Sequence, residues 1–369
     1  MRRRRRRRML APMSTQQIDP AAAEAFAGRM LGVMNDAMLA LTVSVGHQTG
    51  LYETMAPMAP ATSAEIAAAA GLSERHVREW LAAQVTGGIV DFDPDAGTYV
   101  LPPERAACLT AAAGPGNLAV LAPFTGAFGE LEPDLVRGFR DGGGIPVDRM
   151  ASRVQPLQAR LSGPVHDAAL VDVVLPLADG LVERLRSGVD VLDLGCGHGH
   201  AATLVADAFP ASRVTGIDVS AAAIAAARAE ADRLAVGNLR FEERDAYNLP
   251  DGAYDVVLAL DVVHDLAHPA AAIATIHRAL RAGGVLVMLE HRLSDRLEEN
   301  LGHPLVPALY VVSLFHCMAL GLDHGGEGVG LAWGERRARA ALEAAGFGAI
   351  EVAEIPGDPM NHCIIARKA

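Results

Sequence analysis

Cysteine is scarce and unpatterned. Its four positions, Cys108, Cys196, Cys317 and Cys363, lie far apart and form no CxxC pair. Neither a disulfide framework nor a cysteine zinc site follows, and reduced thiols in a cytoplasm are the expectation. Long apolar runs are missing: no segment reaches about 18 uncharged apolar residues, so no membrane-spanning helix is expected. The most apolar late stretch, Leu305–Leu322, is interrupted by Pro307, His316 and Cys317 and reads as a buried helix. No apolar stretch of secretory-signal length follows the first residues. Aromatic residues make up 4% of the chain, too few for a stacking platform for single-stranded nucleic acid. Positive charge is also short. The formal net charge is −12 in spite of seven arginines at Arg2–Arg8, a poor match to a phosphate backbone. The thirteen histidines are scattered, and no metal site is expected from their spacing.

What the chain does have is apolar mass. Of its 369 residues, 51% are hydrophobic, many of them alanine, which suits regular helices and two domains. The arginine run reads as a tag or a misread start, with Met13 as the natural beginning, so residues 1–12 are set aside. Residues 13–110 carry helical patterns. Thr62-Ser63-Ala64-Glu65 has the form of a capping box before a helix that Gly71 ends. Ser73 is placed to cap a second helix stopping at Gly87-Gly88. IVDFD and TYVLP then flank the turn Pro94-Asp95-Ala96-Gly97, a hairpin signal. Helix, helix and hairpin make a winged helix-turn-helix. DNA binding would need a basic face. Here Glu65, Glu74, Glu79, Asp91, Asp93 and Asp95 outnumber Arg75 and Arg78, so a structural or dimerising module is expected. Residues 111–165, with Gly114-Pro115-Gly116 and Gly142-Gly143-Gly144, read as a linker and pocket-covering helices. Residues 166–369 alternate strand and helix patterns, the mark of an α/β sheet.

The strongest local signal is VDVLDLGCGHGH, a buried strand, a glycine-rich turn and a helix starting near His200. Such a turn presents backbone N–H groups and a helix N-terminus to a ligand. A dinucleotide fingerprint would place a third glycine where His200 stands. The pattern is instead Asp193, Gly195, Gly197, Gly199, with Cys196 inside the turn. It resembles the first motif of class I S-adenosylmethionine methyltransferases, whose Rossmann-like sheet has seven strands. The following elements keep that order: a second strand ending at Asp218-Val219, a third before Asp245-Ala246, a fourth ending at Leu260-Asp261, then HRALRAGGVLVMLEH and a late helix with two strands.

From about Gln17 onward, the chain also resembles bacterial methyltransferases with an N-terminal winged-helix domain. TGLYETMA, EIAAAAGLSERHVREWL, TYVLPPERAACLT, DVVHDLAHP, HPLVPALYVVSLFHCM and GGEGVGLAWG carry the likeness. The resemblance implies S-adenosyl-L-methionine as cofactor. Asp218 would hold the ribose, Asp245 and Ala246 the adenine, Asp193 the methionine ammonium, and Leu260-Asp261 would flank the methyl group. A small-molecule methyl acceptor, linked through oxygen, is expected, and because the helices of the winged-helix half have apolar faces that need a partner, so is a homodimer, in the cytoplasm. Caffeate-type O-methyltransferases, which are similar, have a catalytic His-Asp pair where this chain has His264-Asp265, although Leu266 replaces their usual tryptophan. His264, near neutral pKa when unperturbed, is therefore the candidate base. His291, His316 and His324 are weaker candidates, and His316 with Cys317 could line the acceptor pocket. The rival reading is a transcription regulator using the same domain as a ligand sensor.

Overall fold

The computed structural model describes residues 18–369; the arginine run and the expected start at Met13 lie outside them. Helix α1 (Pro20–Thr49) opens on proline, whose missing N–H is not needed at a first helical position. Asp19 caps it by accepting from Ala21 and Ala22, and Gly50 ends it at φ +71°. Then come α2 (Leu51–Met55), α3 (Ser63–Ala70), α4 (Glu74–Thr86), the antiparallel pair β1 (Asp91–Asp93) and β2 (Thr98–Val100), and α5 (Pro103–Leu109). The Thr62–Glu65 capping box forms, and Gly71 closes α3 in the left-handed region. Ser73 does not cap α4 with its side chain; its hydroxyl lies 3.1 Å from His76 Nδ1 instead. Tyr52, Ile66, Val77, Trp80 and Leu81 form the core of this region. Gln84, fully buried, accepts from the Tyr52 hydroxyl at 2.6 Å and donates to Thr42 at 2.8 Å, tying α1 to the winged helix.

The stretch read as a linker with pocket-covering helices is mostly helical. After two short 3₁₀ turns it forms α6 (Pro123–Asp141), α7 (Val147–Arg153) and α8 (Gln155–Ala169). Some of its glycines and prolines mark helix ends, while Pro133 and Pro164 lie inside α6 and α8. Gly142 and Gly143 turn at φ +79° and +85°, and a Cβ on Gly144 would lie 1.8 Å from the Ala319 carbonyl oxygen. The boundary expected at residue 165 therefore falls inside α8.

Beyond it, α9 (Leu181–Ser187), β3 (Asp190–Leu194), α10 (His200–Ala208), β4 (Arg213–Asp218), α11 (Ala221–Leu234), β5 (Leu239–Glu243), β6 (Tyr254–Leu260), α12 (Pro269–Ala279) and β7 (Leu280–His291) follow in turn. The chain closes with α13 (Val306–Val312), a π turn at Ser313–Cys317, α14 (Met318–Asp323), α15 (Gly334–Ala345), β8 (Ala349–Ile355) and β9 (Asp358–Arg367). The seven-stranded sheet runs β5-β4-β3-β6-β7-β9-β8, with β9 antiparallel to both neighbours. Alternate residues of the central strands feed two cores. Val256 and Leu258 pack on one face, and Val257 and Ala259 on the other. The order reverses between β3 and β6, and in open α/β sheets ligands bind at the carboxyl ends of strands at such a switch.

The late apolar run is buried along one side only. Ser313, His316, Cys317 and Ala319 face inward while Val311 is exposed. The stretch Val306–Asp323 is long and apolar enough to cross a membrane by composition. Here it lies against α6, with the Phe128 and Phe315 rings stacked at 5.1 Å.

Candidate active site

The switch point holds a cradle. Asp193, near the end of β3, is 2% exposed, and its Oδ2 has no hydrogen-bond partner among the described residues. Burial pushes its carboxyl up to about 7, and the charge of Asp218 adds to the effect. Gly195, Gly197 and Gly199 all take positive φ. A Cβ on Gly195 would meet Val262 at 2.3 Å, and one on Gly199 would meet Phe241 at 2.4 Å. At Gly197 a Cβ would meet nothing within 4 Å, so the turn is open above. Cys196 keeps the turn against β4, its N–H donating to Ile217 at 2.9 Å. Asp218 accepts from Gly197 N at 3.0 Å and from Ser220 N at 2.8 Å. The cap of α11 comes from Ser220, so Asp218 has no capping duty. Val219 beside it is exposed. Asp245 accepts from Tyr247 N at 3.0 Å, and Ala246 is buried. Asp193, Asp218, Val219, Asp245 and Ala246 thus follow one edge across β3, β4 and β5, and Leu260 and Asp261 continue it at β6.

A second cluster occupies the ends of β6 and β7. Asp261 has φ +58°, a strained conformation for a residue that is not glycine. His264, 1% exposed, sits in the 3₁₀ turn Val263–Asp265. Its Nδ1 is 2.7 Å from Glu290 Oε2. Its Nε2 is 3.3 Å from Asp265 Oδ1 and 3.9 Å from Asp261 Oδ1. His291 Nε2 is 3.2 Å from Asp261 Oδ1. Burial pulls His264 down, but Glu290 and Asp265 more than reverse this and hold it well above its ordinary value. Packing would push Asp261 up, yet His291, His264, His316 and His166 together hold it below the usual carboxylate range. Half of its side chain nevertheless faces solvent.

Histidines scattered along the chain therefore converge. Donor atoms of Asp261, His264 and His291 lie within 4.8 Å of one another, as do those of His264, Asp265 and Cys317. His316 joins at 3.9 Å from Asp265 and 3.6 Å from Cys317. His268, four residues past His264, is exposed and turns to Glu327 instead. His324 is exposed at the end of α14. Sequence reasoning missed Glu290 and His166. A carboxylate in the apolar run Val285–Leu289 plus Glu290 was a usable signal for the first. Nothing local marked His166, which stands on α8 and helps hold the Asp261 carboxyl down. On the winged helix, Arg75 and Arg78 are paired within α4 to Glu79 and Glu74.

Residues 37–111 match a family model described as an Rv2258c-like winged HTH domain, and residues 185–306 one described as a methyltransferase domain. Among curated proteins, an uncharacterized 37.1 kDa protein of a Streptomyces fradiae transposon is 34% identical over 48% of this chain and 56% of its own length. A probable S-adenosylmethionine-dependent methyltransferase of Mycolicibacterium smegmatis is 37% identical over 28% of this chain and 38% of its own. The chain thus spans about half, or less, of these relatives. Human N-acetylserotonin methyltransferase has the same fold, with TM-score 0.66 at 19% identity, covering 97% of this chain and 100% of that one. A mitomycin 7-O-methyltransferase matches with TM-score 0.67 at 20% identity, over 95% and 100%. The chain joins a winged-helix domain to a domain of methyltransferase fold.

Proposed function

We propose that this winged-helix, methyltransferase-fold chain transfers a methyl group from S-adenosylmethionine to an oxygen of a small-molecule acceptor. The observation that carries the reading is Asp193, a buried carboxylate with an unpartnered oxygen beneath an open three-glycine turn at the sheet's switch point. A buried carboxylate without a partner is costly, and a ligand ammonium would satisfy it. Gly195, Cys196, Gly197 and Gly199 would hold the cofactor's methionine half. Asp218 would accept both ribose hydroxyls, because its two oxygens offer about four acceptor positions and only two are filled by backbone amides. Val219 supplies an apolar face for the adenine ring, Asp245 a carboxylate for its amine, and Ala246 a small wall. Leu260 and Asp261 would border the transferred methyl. When bound, the cofactor supplies an electrophilic methyl group on a cationic sulfur. The chain's own task is to place an acceptor oxygen in line and manage its proton. His264 stands where that proton leaves: Glu290 holds Nδ1 and directs Nε2 toward Asp261 and Asp265. The small oxygen acceptor is supported by the names of the structural neighbours, which methylate N-acetylserotonin and position 7 of mitomycin.

The same reading makes the chain a cytoplasmic homodimer that does not bind nucleic acid. Leu31, Met34, Met38, Leu41 and Val45 of α1 are spaced three and four apart, and each is at least 40% exposed. That stripe is the seam of a helix pair, and a second copy of α1 is its natural cover. The paired arginines of α4 speak against the regulator alternative. Helices α6 to α8 would form a middle unit over the acceptor side.

Incubation with methyl-tritiated S-adenosylmethionine and a panel of phenols, hydroxy acids and enols tests the activity. The expected result is label in at least one oxygen acceptor. Transfer to nitrogen acceptors alone would contradict the oxygen reading. Tight cofactor binding without any transfer would favour a sensor.

A further inference from the structure

We propose that Asp261, His264 and His291 form a site for one divalent first-row transition-metal ion, open to an acceptor that offers two oxygens on adjacent atoms. The acceptor half of this statement rests on the methyl-transfer reading; the metal half does not. The three donors come from the end of β6, the 3₁₀ turn after it and the end of the neighbouring strand β7. Asp261 Oδ1 is already 3.2 Å from His291 Nε2 and 3.9 Å from His264 Nε2. Ligand atoms around an ion with bonds of about 2.1 Å sit roughly 3 Å apart, so the His264 side has to close by about an ångström.

The surroundings fit a cation. Glu290 takes the Nδ1 side of His264, the carboxylate–histidine arrangement that orients metal-ligating imidazoles. That leaves Nε2 facing two carboxylates, Asp261 and Asp265. The two carboxylates call for positive charge at that nitrogen, which a bound ion supplies in place of the imidazolium proton. Asp265 Oδ1 and Glu290 Oε1 are buried without hydrogen-bond partners among the described residues, so neither oxygen is neutralised by a donor outside the cluster. The neighbouring triad of His264, Asp265 and Cys317 shares the same nitrogen but is closed. Cys317 is 2% exposed, so that triad has no opening for an exogenous ligand. Asp261 is half open and gives the first triad an entrance.

Two imidazoles and one carboxylate form a facial set that leaves positions for exogenous oxygens. The site adjoins the glycine turn, because Val262, next to Asp261, is the residue a Cβ on Gly195 would strike. An acceptor chelated there would lie beside the cofactor edge, and the ion would lower the pKa of a bound hydroxyl. In the loaded protein His264 serves as ligand, and the ion takes over the activation of the acceptor.

The test uses the full chain, stripped with a chelator and titrated with Co(II). Visible d–d absorption reports binding, and Zn(II) and Fe(II) retained after desalting are measured by mass spectrometry. We expect one equivalent of Co(II), retention lowered at least tenfold by Asp261→Asn, His264→Gln and His291→Gln, and unchanged binding in Cys317→Ser. Folding of each variant is checked by circular dichroism. A folded wild type that takes up no Co(II) overturns the site, as does loss on Cys317→Ser with retention in His291→Gln. Calorimetry with S-adenosylmethionine on the same samples separates the two proposals. Cofactor binding without metal sinks the metal site alone, and metal binding without cofactor supports the metal site while sinking methyl transfer.

Discussion

Asp193 shows how a residue can be poor for stability and necessary for binding. Its carboxyl is raised to about 7 by burial, while in the unfolded chain it titrates near 3.9. A raised acid pKa favours folding below the unfolded value, and that advantage is lost as pH rises toward 7. Asp193→Asn should therefore stabilise the cofactor-free protein at pH 8 by about a few kcal/mol, seen as a Tm several degrees higher, with little gain at pH 4. The same variant should bind S-adenosylmethionine at least tenfold more weakly. In the wild type, affinity should fall as pH drops below about 7, and in the variant this dependence should flatten. A variant no more stable than wild type at pH 8 would show that Asp193 is already satisfied in the free protein. The Asp193–Gly199 motif was legible in the sequence because its constraint is local: strand, turn and glycine are adjacent. The role of Glu290 was not, because its partner His264 lies 26 residues away and only the pairing of β6 with β7 brings them together.

At the scale of elements, what sequence periodicity states well is a face, and what it states poorly is what covers the face. The strands β3, β4 and β6 and the capped helix α3 were readable from apolar runs and capping residues. The helices α6 to α8 were legible only as pocket-covering helices without bounds, because prolines and glycines inside them, Pro133 and Pro164 among them, blur the helical pattern. The apolar stripe of α1 is the element whose partner matters most. Met34→Glu with Met38→Glu should convert a dimer into a monomer, read by light scattering after gel filtration. The far-ultraviolet spectrum should change little, because both positions are exposed. A wild type that is already monomeric at micromolar concentration would remove the dimer proposal.

For the whole molecule, the decisive feature is topology. The sheet reverses direction of growth between β3 and β6, and this places the glycine turn, Asp218 and Asp261 along one edge, with the His264 cluster beside it. The order of motifs along the chain was enough to anticipate that edge. It was not enough to show that histidines 264, 291 and 316 meet, since their spacing in sequence carries no trace of their spacing in space. The central claim is that this edge binds S-adenosylmethionine. Isothermal titration calorimetry of the purified chain with S-adenosylmethionine, beside an Asp218→Ala variant of matching circular dichroism, tests it most directly. The account predicts one cofactor per chain in the wild type and at least tenfold weaker binding in the variant, which loses the ribose acceptor. A folded wild type that takes up no cofactor, or equal binding by both proteins, would contradict it.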